Sequence, residues 1–367
     1  MQKRTKNTFV KTAGLALIAG ILLSSCGSDT TDNAGQSHNW NYASAAPSSG
    51  ALGIVADWWA EEVKERSDGN IEIETFQDSS LLSATDTLSG VIEGRADFGY
   101  LAPAFYENEL PLTSATTIPF TSNDSEAVQR AMYQMYQEND DFRAEYTDQG
   151  LHVLFFLPLG GSVMGFEQPI TDISQLKGMR VRAVGLHAEA FDAAGAEPIY
   201  VDPSELYENI QRGVVDGFGS LPFDLAETLR LGEVAPEFNY PGLGTLGSAA
   251  VVMRQADWDA LDEETQTLLT EIAEETMTES VTKVVEVEEQ ICTDLLDSGA
   301  HVSILDQEQV DQWDQLEDWH ELWLDKVADA GTDRAVAQQF LDEYLGAVES
   351  FEGQGDYIDG AIACAER

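Results

Sequence analysis

The decapeptide Gln175–Val184 (QLKGMRVRAV) places an arginine near the end of a short apolar strand. A guanidinium presents a planar fork of N–H donors that matches a carboxylate, and away from bulk water that pairing is short and directional. Lys and Arg total only 19 against 66 Asp and Glu, so a cation set between Val181 and Val184 points to a role. One reading is that Arg182 holds an organic acid. The competing reading pairs Arg182 with one of the many neighbouring acids, and spacing alone leaves both open.

Other kinds of chemistry find little to work with. The five histidines, His38, His152, His187, His301 and His320, lie far apart and lack metal-ligand spacing. The sequence holds no Gly-Lys-Ser/Thr phosphate loop and no Gly-x-Ser-x-Gly elbow. Asp216 reads as a strand-end or turn carboxylate, and Glu61-Glu62 as a solvated helix face. The expectation is a binding protein rather than an enzyme, with no catalytic residue, metal or cofactor.

The elements that must position Arg182 are legible as alternating patterns. Asn39–Ala45 reads as a strand. Leu52–Arg66 has helical spacing, with Leu52, Val55, Trp59 and Val63 on one side. After the turn Ser67–Asn70, Ile71–Thr75 alternates as a strand, Ser83–Gly94 reads as a helix and Ala96–Leu101 as a strand. This βαβαβ rhythm predicts an α/β domain with a parallel sheet. A second unit repeats it: strands Leu151–Leu157, Met179–Val184, Pro198–Val201 and Val214–Phe218, with helices over Ala188–Ala194 and Pro203–Arg212. Beyond the apolar Ala249–Met253, long amphipathic helices are expected over Ala256–Ser298, Asp306–Ala328 and Asp333–Glu349.

The amino-terminal end reads as an address. Lys3, Arg4, Lys6 and Lys11 precede the apolar Thr12–Leu22, too short to span a bilayer as a mature helix. Leu23-Ser24-Ser25-Cys26 then reads as a lipobox, whose cysteine is diacylated and becomes the new terminus. The expected protein is exported to the periplasm or cell surface and lipid-anchored through Cys26. The alternative is an ordinary secretory signal cleaved nearby. Gly27–Ser37 is a polar tether. The formal net charge is −47, and loss of the leader would remove four positive charges and no negative ones. Such even acidity suits high salt and excludes a nucleic-acid partner. With Cys26 lipidated, Cys292 and Cys364 have only each other to pair with, but sequence separation does not say whether they meet.

Taken in order, these pieces resemble the solute-binding proteins of tripartite ATP-independent periplasmic (TRAP) transporters, of the DctP type. The resemblance runs from about Tyr42 to Ile272. It rests on Gly69-Asn70-Ile71-Glu72-Ile73, Gly94–Gly99 (GRADFG), Ile118-Pro119-Phe120, Pro169-Ile170 leading into Leu176–Arg182, Gly195–Pro198 (GAEP), Glu205-Leu206-Tyr207, Gly213–Gly217 (GVVDG) and Asp257–Leu261 (DWDAL). It implies two interleaved α/β domains with a ligand cleft between them, linked by long C-terminal helices. On that pattern residues 38–158 and 249–288 form domain I. Residues 159–248 and 289–350 form domain II with the linking helices, and 351–367 a tail. The resemblance also implies that Arg182 binds the ligand's carboxylate, that Phe218 and Ser220 lie beside the ligand, and that a TRAP membrane permease is the partner. Ser162 stands in the neighbourhood where sialic-acid-binding members have a second arginine, which argues against sialic acid and leaves a single cation, suited to a monocarboxylate or to a ligand whose other end is polar. Tyr100 is either a cover for the ligand from across the cleft or a core aromatic, His187 either a donor to the ligand or a loop histidine with no role, and Phe166 reads as core rather than contact. The alternative function is a lipid-anchored sensor of the same organic acid.

Overall fold

The computed structural model describes residues 37–367; the leader, Cys26 and the tether up to Gln36 lie outside the described residues. Eleven strands are formed among these residues: β1 (His38–Ala43), β2 (Ile71–Phe76), β3 (Phe98–Leu101), β4 (Leu151–Pro158), β5 (Ser162–Phe166), β6 (Arg180–Arg182), β7 (Glu197–Ile199), β8 (Gly217–Pro222), β9 (Glu237–Tyr240), β10 (Ser248–Arg254) and β11 (His301–Ile304). They make two sheets, ordered β2-β1-β3-β10-β4 and β11-β9-β5-β8-β6-β7. Each sheet and its helices form one lobe.

The first sheet departs from the all-parallel expectation. β1 runs parallel to β2 and β3, but β10 lies antiparallel to both β3 and β4. The reason is that β10 arrives from the second lobe and runs back between two strands already in place. Its residues Ser248–Met253 are all buried, as a central strand covered on both faces requires.

The chain crosses between lobes at Leu159–Gly161, which joins β4 to β5, and again between β9 and β10. A third crossing is the helix Glu263–Ser298. Its first half packs Leu269, Ile272 and Ala273 with Trp59 and Phe155 of the first lobe. Its second half packs Ile291 and Leu295 with Phe238 and Leu231 of the second. The later helices also bridge: the Trp313 indole donates to the Ala190 carbonyl at 2.7 Å, and the Trp323 indole to Ser114 Oγ at 2.9 Å. Two expected long helices are interrupted. Asp262 caps the helix that follows it through Thr265 N–H, and Asp318 does the same through Glu321 N–H. An aspartate in that position starts a new helix rather than continuing the old one.

Cys292 and Cys364 are disulfide-bonded and buried, which answers the question the sequence left open. Close by, Glu288 and Asp359 bury their carboxyl groups against the first crossing. A Cβ on Gly161 would come within 1.9 Å of Asp359 Oδ2, so any larger residue there would have to push the Asp359 carboxyl aside. Glu288 Oε2 accepts from Gly360 N–H at 2.9 Å, and Asp359 Oδ1 from Ala361 N–H at 3.0 Å. Burial raises both carboxyls above the ordinary range, and the negative charge of Asp359 raises Glu288 further. The folded chain therefore holds these protons more tightly than the unfolded chain. The stability they contribute is complete below the ordinary carboxylate range and is lost as pH rises through the raised values. Urea midpoints should accordingly fall from pH 5 to pH 8. Glu288→Gln, which keeps an acceptor for Gly360, should shrink that fall; an equal fall in both proteins would refute the assignment.

Candidate ligand-binding site

A cavity of about 270 Å³ opens between the lobes. The first lobe contributes the small-residue turn after β1 (Ala45–Gly50), Tyr100 at the end of β3, and Phe105. The second contributes Arg182 and His187, together with Ser220 and Asp224. These groups gather at the carboxyl ends of β1, β3, β6 and β8, where open α/β sheets receive ligands.

Arg182 ends β6, which lies between β7 and β8. It is only 2% exposed. Nε donates to the Val201 carbonyl at 3.2 Å and Nη1 to the Ser220 carbonyl at 2.7 Å. These carbonyls fix the guanidinium without neutralising it. Burial pulls its pKa down to about 10, with Tyr200 and Asp202 pushing it back up, so it is a cation at neutral pH. The neighbouring Asp216 is taken by Arg180, which donates from Nη2 to Asp216 Oδ1 at 2.6 Å and from Nε to Asp216 Oδ2 at 3.1 Å. Among the described residues no carboxylate pairs with Arg182.

A bulge in β8 aims the neighbouring groups. Val163 of β5 pairs with Leu221 and Gly165 with Phe218, so Gly219 and Ser220 together oppose Met164. An extra residue of this kind breaks the alternation of faces and re-aims a side chain. Ser220 sits at φ 49°, a left-handed conformation that a serine holds only when its surroundings enforce it. Its carbonyl thereby meets Arg182, while its hydroxyl is buried and without a hydrogen-bond partner beside the cavity that Ser220 borders. The same bulge separates Phe218 from the site. That ring, expected beside the ligand, is buried in the second-lobe core at 5.6 Å from Phe238 and does not line the cavity.

His187 is buried, and burial lowers its pKa to about 4, so the ring is neutral. Its Nδ1 lies 3.1 Å from Ser162 Oγ, and its Nε2 has no hydrogen-bond partner. Ser162 is thus behind His187 rather than on the cavity wall. In the tautomer where Ser162 donates to Nδ1, the proton sits on Nε2. Tyr100 lines the cavity and stays protonated, because burial holds its phenol well above the ordinary range. Phe166 is core.

Sequence reasoning missed Asp224. It is 7% exposed, lines the cavity, and its Oδ2 accepts from the Ala51 N–H at 3.1 Å, reaching across the cleft to the start of the helix Ala51–Arg66. The available signal was a lone acid in the apolar run Leu221–Leu225, four residues after Ser220.

The cleft, the paired sheets and the bridging helices define a two-lobed solute receptor. The family model for bacterial extracellular solute-binding protein, family 7 (DctP) matches residues 42–323, and the chain belongs to that family. It is 28% identical over 263 residues to the ectoine/5-hydroxyectoine-binding periplasmic protein UehA of Ruegeria pomeroyi, covering 71% of this chain and 73% of that one. It is 22% identical to the ectoine-binding periplasmic protein TeaA of Halomonas elongata, covering 88% and 94%. The crystal structure of the Halomonas protein superposes with a TM-score of 0.75 at 22% identity, covering 85% of this chain and 99% of that chain. A marine metagenome TRAP solute-binding protein in complex with 3-hydroxybenzoate gives 0.77 at 18% identity, covering 87% and 100%. The chain is therefore a periplasmic-type solute-binding component of a TRAP transporter for a small organic solute, and not an enzyme. No helix among the described residues is long and apolar enough to cross a membrane.

Proposed function

We propose that this receptor captures a small monocarboxylate through Arg182, with Ser220 and His187 as further donors and Tyr100 covering the guest, and delivers it to a TRAP permease. Lipid on Cys26 would hold it at the membrane while it does so. The observation that carries this reading is a buried guanidinium on the cavity wall with no counter-ion. Burying an unpaired charge is expensive, and a carboxylate entering the cleft relieves that cost while also meeting the Ser220 hydroxyl and His187 Nε2. The relatives agree in kind. One matching protein is named a monocarboxylate 2-oxoacid-binding periplasmic protein, and another was solved with 3-hydroxybenzoate. A thermal-shift screen of monocarboxylates on the wild type and on Arg182→Ala tests the reading. Carboxylates should raise the melting temperature of the wild type alone, and a ligand that stabilises both proteins equally would end the assignment.

The surface charge sets a further expectation. With 66 acids against 19 bases, the protein repels a monoanion at low ionic strength, and salt screens that repulsion. Affinity for a monoanion should therefore rise from about 0.05 M to about 1 M salt, as the screening length falls from beyond 10 Å to about 3 Å. A flat or falling titration by calorimetry removes the idea.

A further inference from the structure

We propose that the natural guest is a zwitterion, whose carboxylate lies on Arg182 and whose cationic nitrogen lies on Asp224. The inference rests on the proposed carboxylate site and adds a second pole to it. Arg182 and Asp224 line the same cavity, are 2% and 7% exposed, and are not paired with each other. Among the described residues neither has an oppositely charged side chain within salt-bridge distance. Two buried groups of opposite charge on one wall, neither of them paired with a charged side chain, complement a guest carrying both signs, because each pole of the guest meets one of them.

The rest of the lining argues the same way. Asp78 and Asp202 also border the cavity, exposed and half-buried respectively. Arg182 is the one cation among the described lining residues, since burial keeps His187 neutral. A simple anion thus meets one positive group and three carboxylates. A guest of zero net charge avoids most of that repulsion while keeping the arginine contact. Asp224 is also held in place: its Oδ2 accepts the Ala51 N–H at 3.1 Å, from the opposite lobe. Its remaining neighbours are backbone N–H groups, of Asp224 itself and of Leu225, and no cationic side chain.

The test uses matched pairs of probes that differ only in the ammonium group. Calorimetry compares L-proline with cyclopentanecarboxylate, pipecolate with cyclohexanecarboxylate, and 4-aminobutyrate with butyrate. The protein panel is the wild type, Asp224→Asn and Arg182→Ala. Asparagine keeps an acceptor for Ala51, so the variant removes the charge and spares the fold, which a thermal melt verifies. In the wild type at least one ammonium-bearing member should bind about ten- to a hundred-fold tighter than its partner, the span of a charged hydrogen bond. Asp224→Asn should collapse that ratio towards one. Equal binding within every pair, with dependence on Arg182 retained, overturns the zwitterion and leaves the carboxylate site standing. A preference that survives Asp224→Asn assigns the nitrogen elsewhere and overturns the role of Asp224. Binding of neither member, or binding indifferent to Arg182, overturns both readings.

Discussion

Arg182→Ala should weaken carboxylate binding by at least about 1.5–3 kcal/mol, roughly ten- to a hundred-fold or more, which is the range for a hydrogen bond to a charged group. The loss is large because the guanidinium is buried. Arg182 is 2% exposed, so water cannot replace the guanidinium when the cleft is shut. The same burial makes a second result diagnostic. The unliganded protein carries an unpaired cation whose removal relieves a desolvation cost. That relief opposes the void and the two freed carbonyls, Val201 and Ser220. Stability without ligand should therefore change much less than affinity does. Arg182→Lys should fall between, keeping the charge and losing the planar fork. Calorimetry showing unchanged affinity in Arg182→Ala would defeat the assignment, and a collapse of unliganded stability would mark the residue as a structural brace.

Removing the disulfide is the other large effect expected. Cys292 and Cys364 close a loop with a sequence separation of 72, and the chain-entropy account of such a crosslink gives about 4 kcal/mol. The local structure supports a value of that order. Cys364 belongs to the six-residue helix Gly360–Ala365, far too short to persist unaided. Ala361 and Cys364 pack with Ile291 and Leu295 of the long helix. A Cys292→Ser, Cys364→Ser double variant should lose several kcal/mol in chemical denaturation, and the wild type should lose as much under reductant. A change below about 1 kcal/mol would show that packing alone secures the tail.

The sequence was most informative where local pattern and burial agree. β4 spans Leu151–Pro158 against an expected Leu151–Leu157, and β2 spans Ile71–Phe76 against Ile71–Thr75. It was least informative where neighbours decide the outcome. β5, β9 and β11 were missed because each is short and owes its conformation to partners far along the chain. The strand expected at Val214–Phe218 begins at Gly217 and continues to Pro222, since its register is fixed by β5 and β6 rather than by its own composition. At the site, the Lys-Gly-x-x-x-Arg spacing singled out Arg182. The inward turn of Ser220 and the outward turn of Phe218 depend on a bulge, and a bulge is a property of two paired strands. Asp224 was invisible for a related reason: one aspartate among 66 acids gives no sign of burial until both lobes are assembled.

The place of β10 in the first sheet has a consequence for biosynthesis. β3 and β4 are synthesised early, yet they do not touch one another; the strand that fills the gap is Ser248–Arg254. Until the ribosome has produced that segment, some 90 residues after β4, β1, β2 and β3 can pair with one another but β4 has no neighbour in its sheet and one edge of β3 stays open. A chain built this way completes its first sheet only late in synthesis, when β4 is joined to its lobe by a strand returning from the other one.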